Sequence, residues 1–194
     1  MEMFKRPEIK EDHPIRQLFR NALEYSFRLN PSDKRGIADY IEEQILCEFI
    51  QADNLYRVRD TEGRRLDDMA DMLAEGDVLQ NAQSFEQEFH VHKHIGDFTL
   101  FMLGMFPSAL CGRTGKELLL GSIVVPGTNI SELYILQGQR SYKIASEFVH
   151  KELFMELSRN FQKYQSVIEL VRTYLESARC SEFLKTKRII GGTG

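Results

Sequence analysis

The sequence predicts an all-α fold, a compact bundle of about six to eight helices with at most marginal β structure. Three observations carry this. Apolar residues recur at helical spacing in nearly every segment. Breaker clusters such as Asn30-Pro31-Ser32-Asp33, Gly76 and Pro107 separate those segments. The 194 residues are 42% hydrophobic and 28% charged, apolar enough to fold and long enough to bury a core without disulfide or metal staples.

Ile15, Leu18, Phe19, Ala22 and Leu29 form the first apolar stripe. After the Asn30–Asp33 break, a helix is expected from about Lys34 to about Asn54. Its apolar residues Ile37, Tyr40, Ile41, Ile45, Leu46, Phe49 and Ile50 cover a wide arc, so it should be buried on more than one side. Leu55 to Asp60, followed by Thr61-Glu62-Gly63, reads as a short extended segment and turn. Leu66, Met69, Ala70 and Leu73 predict a short amphipathic helix ending near Gly76. Ser84 with Gln87 three residues on resembles a capping box. It opens a helix that should run to Phe106, where Pro107 stops it.

Residues 107 to 130 hold the one long irregular stretch. A structureless loop of that length is unusual in a compact domain, so a short helix or a functional lid is expected there. From Ser131 the pattern is helical again. Val149, Leu153, Leu157, Phe161 and Tyr164 form one ladder, and Val167, Leu170, Val171, Tyr174, Leu175 and Ala178 a second stripe. No Gly or Pro separates the two, so they read equally as one bent helix or two. Residues 1–184 are expected to form a single domain, and 185–194, ending IIGGTG, a flexible C-terminal tail.

A formal net charge of −4 argues against nucleic acid as a partner, because a polyanion requires a basic face. The first residues, MEMFKRPEIKEDHP, contain no apolar signal core. The most apolar run, Phe98 to Phe106, is too short to span a bilayer. No membrane association and a cytoplasmic location are therefore expected. Cys47, Cys111 and Cys180 form no CxxC pair, which removes a zinc ribbon and a thioredoxin-like motif and suits reduced thiols. Gly112-Arg113-Thr114-Gly115-Lys116-Glu117 resembles half a phosphate loop. Leu110 replaces its first glycine, and Glu117 stands where a hydroxyl should reach magnesium. No GxSxG elbow occurs.

The histidines are the one distinctive chemical feature. On a helix, Glu86, His90, His94, Asp97 and Phe101 fall on one face within roughly 60°. Glu147 and His150 stand at i, i+3, with His150 on the apolar side of its expected helix. An inward Glu-x-x-His opposite imidazole and carboxylate from another helix is how bundles hold iron or manganese. The candidate metal ligands are thus His90, His94, Asp97, Glu147 and His150, with Fe, Mn or Zn as the metal. The second Glu-x-x-His of ferritin-like bundles is missing, since Gln87 and Val91 occupy its slots.

The other feature is the near-complete apolar circumference of Phe98, Phe101, Met102, Met105 and Phe106. Such a helix must be covered on all sides, by the domain itself or by a partner. The expected function is therefore that of a non-catalytic regulatory or interaction protein, homodimeric or partner-binding through the Phe98–Phe106 helix. A metal-dependent Fe/Mn oxidoreductase or oxygenase is the alternative.

Overall fold

A computed structural model describes residues 9–29, 35–50, 72, 84–110 and 129–191. Among them all regular secondary structure is helical, with no strand. The elements are α1 (Pro14–Leu29), α2 (Arg35–Tyr40), a π-helical turn (Ile41–Leu46), α3 (Cys47–Phe49), α4 (Phe85–Met105), α5 (Pro107–Leu110), α6 (Ile130–Ala145), α7 (Lys151–Arg159), α8 (Phe161–Ser177) and α9 (Ser181–Gly191). No described helix is long and apolar enough to cross a membrane.

The expected Lys34–Asn54 helix is observed as α2, the π turn and α3, which follow one another without a break. The wide apolar arc is buried as expected: Ile37, Tyr40, Ile41, Ile45, Leu46, Phe49 and Ile50 all lie in the core. Nothing in the residue pattern marks the π turn, in which Glu42 is buried beside Ile41, Ile45 and Leu46.

Ser84 caps α4, its hydroxyl accepting the Gln87 amide at 3.2 Å. From Val91 to Met105 every residue except Lys93 is buried, so α4 is the central helix. It packs most extensively against α6 and also against α8 and the π turn. Two glycines make the α4–α6 contact close. A Cβ on Gly96 would meet the Tyr142 ring at 2.7 Å, and one on Gly138 would meet Phe161 at 2.4 Å and Thr99 Oγ1 at 2.5 Å. Outside this pair, α1 packs on α8 and α7 on α6.

Burial of α4 corrects the interaction surface expected from sequence. Phe98, Phe101, Met102, Met105 and Phe106 are each 0–3% exposed within the chain itself. The Phe98–Phe106 segment is therefore part of the core and offers no face to a second copy or another partner.

Two backbone breaks also differ from expectation. α6 ends at Ala145, and His150 takes a left-handed conformation at φ 47° before α7 starts. Val149, expected as the first rung of a helical ladder, is an exposed turn residue. The second break, at Asn160, falls inside the expected ladder rather than after it, so Leu153 and Leu157 belong to α7 and Phe161 and Tyr164 to α8.

The expected tail is helical from Lys185 to Gly191, where it continues α9. Phe183 anchors that helix, being fully buried and stacked on Phe106 with ring centroids 5.6 Å apart. The turn before it satisfies the orphan carbonyls of α8: Arg179 N donates to Glu176 O and Cys180 N to Leu175 O, with Arg179 left-handed at φ 51°.

The extended segment expected at 55–63 and the candidate loop at 111–128, with Cys111 and the glycine motif at 112–117, lie outside the described residues. So does the short helix expected at 66–76, except Met72, which is buried.

Candidate functional site

The polar centre of the bundle is Asp97, fully buried two-thirds of the way along α4. Its Oδ1 accepts hydrogen bonds from Tyr40 Oη at 2.7 Å and Tyr142 Oη at 2.8 Å. Its Oδ2 accepts from Lys93 Nζ at 2.8 Å, one helical turn earlier. The same ammonium lies 5.3 Å from the centre of the Tyr40 ring, within cation–π range. Three elements therefore meet at one carboxylate: Tyr40 ends α2, Asp97 and Lys93 belong to α4, and Tyr142 belongs to α6.

The electrostatics follow from burial. Complete desolvation raises the Asp97 pKa above its ordinary value, against the pull of Lys93 and the two hydroxyls. Burial first, and then the Asp97 charge, push both tyrosines well above the ordinary phenol range. Both phenols therefore keep their protons and act as donors.

A second polar cluster joins α1 to the π turn. Arg20 Nε donates to Glu42 Oε1 at 2.9 Å, Arg16 Nε to the same oxygen at 3.4 Å, and Arg16 Nη2 to Glu43 Oε1 at 2.9 Å. Half-buried Cys47 stands nearby, its thiol pushed up to about 12, chiefly by burial. At that value it holds its proton and is a poor nucleophile. A third polar contact lies between α4 and α6, where Gln137 Nε2 donates to Ser141 Oγ at 3.0 Å and His92 Nδ1 is 3.4 Å from that hydroxyl.

The five expected metal ligands do not converge. His90 is an exposed residue of the early turns of α4, 3.8 Å from Glu86. His94 is buried among rings, edge-on to Phe49 and stacked on Phe98. Asp97 is committed to Tyr40, Tyr142 and Lys93. Glu147 and His150 are exposed on the turn between α6 and α7, outside any helix, so their i, i+3 spacing does not place them on one face. Among the described residues, no three His, Cys, Asp or Glu side chains are grouped so that they could hold a metal ion.

Sequence reasoning singled out Asp97 and missed its partners. Lys93 was detectable, since it stands four residues before Asp97. Tyr40 and Tyr142 carried no such signal, because they are 57 and 45 residues away.

Large apolar side chains are exposed at several places, Tyr25, Leu29, Leu136 and Leu184 among them. Phe85, the first residue of α4, is 71% exposed, and Val149 of the α6–α7 turn is 45% exposed. Phe148 lies between them in the aromatic series Phe85, Phe148, Phe89, Phe154, whose successive centroids are 6.3, 6.2 and 5.9 Å apart. Phe154 in turn contacts Tyr40 and Tyr142. The exposed rim thus connects through tilted and edge-on ring contacts to the Asp97 cluster.

The fold and these clusters define a helical bundle with an apolar core, a buried polar cluster at Asp97 and an aromatic rim. No family model, curated protein or solved structure matches the chain.

Proposed function

We infer that this chain is a non-catalytic interaction protein whose contact surface is the aromatic rim formed by Phe85, Phe148 and Val149. The observation that carries the reading is the 71% exposure of Phe85, whose ring begins a series of tilted and edge-on ring contacts that continues into the core. An exposed aromatic on a rigid base is pre-organised, so ordering it on binding costs little. The polar side chains of the central helix support the same reading. Asp97 and its three partners are bound to one another.

The experiment is native size analysis in extract from the source cells, with Phe85→Ser as the comparison. Elution well above the 22.6 kDa of one chain, lost in the variant, is the expected outcome. Elution as a single chain for the unaltered protein overturns the interaction reading.

A further inference from the structure

We propose that α9 is a releasable strap: it plugs an apolar socket at the end of α4 with the Phe183 side chain, and it lifts off as a unit while the bundle beneath stays folded. The inference goes beyond the interaction reading and does not rest on it, because the socket lies at Phe106 and the rim at Phe85, at opposite ends of α4.

The first ground is how α9 is held. Phe183 is 0% exposed and lies nearly flat on Phe106, the ring planes 17° apart. Of the other α9 side chains whose surroundings are described, Ser181, Leu184, Lys185, Lys187 and Arg188 are all exposed. α8 differs, for it buries a side chain on every turn from Phe161 to Leu175. Hydrophobic stabilisation follows the apolar area removed from water, so a single plug holds α9 less firmly than the core face holds α8.

The second ground is the clasp over the plug. Lys187 Nζ lies 2.8 Å from Glu176 Oε1 on α8 and 5.9 Å from the centre of the Phe183 ring. The two charged side chains are 47% and 41% exposed, so water and salt weaken the pair.

The third ground is the junction. α8 is closed by its own turn, where Arg179 N donates to Glu176 O and Cys180 N to Leu175 O. Its end therefore needs nothing from α9. The hinge falls at Cys180 and Ser181, where one bond, Leu184 N to Cys180 O, ties the first turn of α9 to the residue before it. Residues at the end of an element can absorb the φ/ψ change of such a swing. Release uncovers Phe106, which is 3% exposed when the strap is closed. The strap is thus the chain's own occupant of a socket shaped for an aromatic side chain.

The test is native-state hydrogen exchange of the full chain, read by helix. In the unaltered protein the α9 amides should open together, about 100-fold or more above those of α4 and α8. Phe183→Ala should raise that opening at least about tenfold and leave the protection of α8 and of α4 before Phe106 unchanged. Lys187→Gln should raise it by a smaller factor, and that factor should fall as salt is added, because the clasp it removes is screened. Protection of α9 equal to that of α8 overturns the strap. So does protection that declines gradually from Ser181 to Gly191, which is fraying of a helix end and not release of a unit. Loss of α4 and α8 protection along with α9 in Phe183→Ala makes Phe183 a core residue and overturns it as well. If that variant does not fold, exchange in the unaltered chain and in Lys187→Gln still decides.

Discussion

Glu86 and His90 stand 3.8 Å apart on the early turns of α4, and Lys93 and Asp97 stand 2.8 Å apart further along the same helix. Both pairs have i, i+4 spacing. The first is solvated, with side chains 84% and 64% exposed; the second is 0% exposed at the carboxylate and 18% at the lysine. Water and salt screen the first pair, so it adds little beyond its local helix. The second exchanges hydration for three protein donors, and those donors join α2, α4 and α6. Spacing establishes that two charges on a helix are neighbours. Burial, set by what packs over them, decides whether the fold depends on them.

Asp97→Ala should have the largest effect. It leaves Lys93 and two buried phenols without their acceptor, and breaking a buried pair from one side typically costs about 3–5 kcal/mol. Chemical denaturation should register a loss of that order. A loss below about 1 kcal/mol, within the range of a surface substitution, would mean that Asp97 does not organise the three elements.

A smaller effect should separate the carboxylate's charge from its shape. Burial raises the folded-state pKa of Asp97, so the folded protein binds the proton more tightly than the unfolded chain. For a raised carboxyl pKa, the contribution to stability is complete below the unfolded value, near the ordinary 3.8, and is lost as pH rises through the folded value. Asp97→Asn removes this titration. Unaltered protein should therefore gain stability relative to Asp97→Asn as the pH falls from about 7 towards about 5, on the raised-pKa side of the ordinary carboxyl range. Paired denaturation curves at the two pH values measure it, and a difference that shrinks on acidification would contradict the raised pKa.

The fold was largely legible because it depends on local periodicity. The stripe of Ile15, Phe19 and Ala22, the wide arc from Ile37 to Ile50 and the Ser84 cap each carry their signal within one or two turns and appear in the structure, whereas Leu29 at the end of the first stripe is 54% exposed. Where a break depends on a residue that does not advertise it, the reading failed. His150 adopts φ 47°, a conformation for which histidine is enriched among non-glycine residues but which it signals far more weakly than glycine does. That single break moved Glu147 and His150 off a helix face and removed half of the expected metal site. The Asp97 cluster was half legible for a related reason. Lys93 is coupled to it by helix geometry, whereas Tyr40 and Tyr142 reach it only through the packing of α2 and α6 on α4, which is set by Gly96 beneath the Tyr142 ring. Likewise, the all-round apolarity of Phe98 to Phe106 established that something covers α4, and only the packing of α6, α8 and the π turn identified the cover as the chain itself.

The smallest expected effect completes the comparison. Glu86→Ala breaks the exposed pair and removes an acidic residue from the first turn of α4, where it also favours the helix dipole. Exposed i, i+4 pairs and first-turn charges are each worth only a few tenths of a kcal/mol in salt, so the loss should stay within about 0.5 kcal/mol. It should shrink further as salt is added, because screening acts on solvated charges and hardly at all on Asp97. Thermal melts of Glu86→Ala and Asp97→Ala in low and high salt test this. A Glu86→Ala loss comparable to that of Asp97→Ala, and insensitive to salt, would mean that the entry turn of α4 is buried in solution and that the distinction between the two pairs fails. A small, salt-sensitive loss leaves Glu86 as a solvated surface charge beside Phe85.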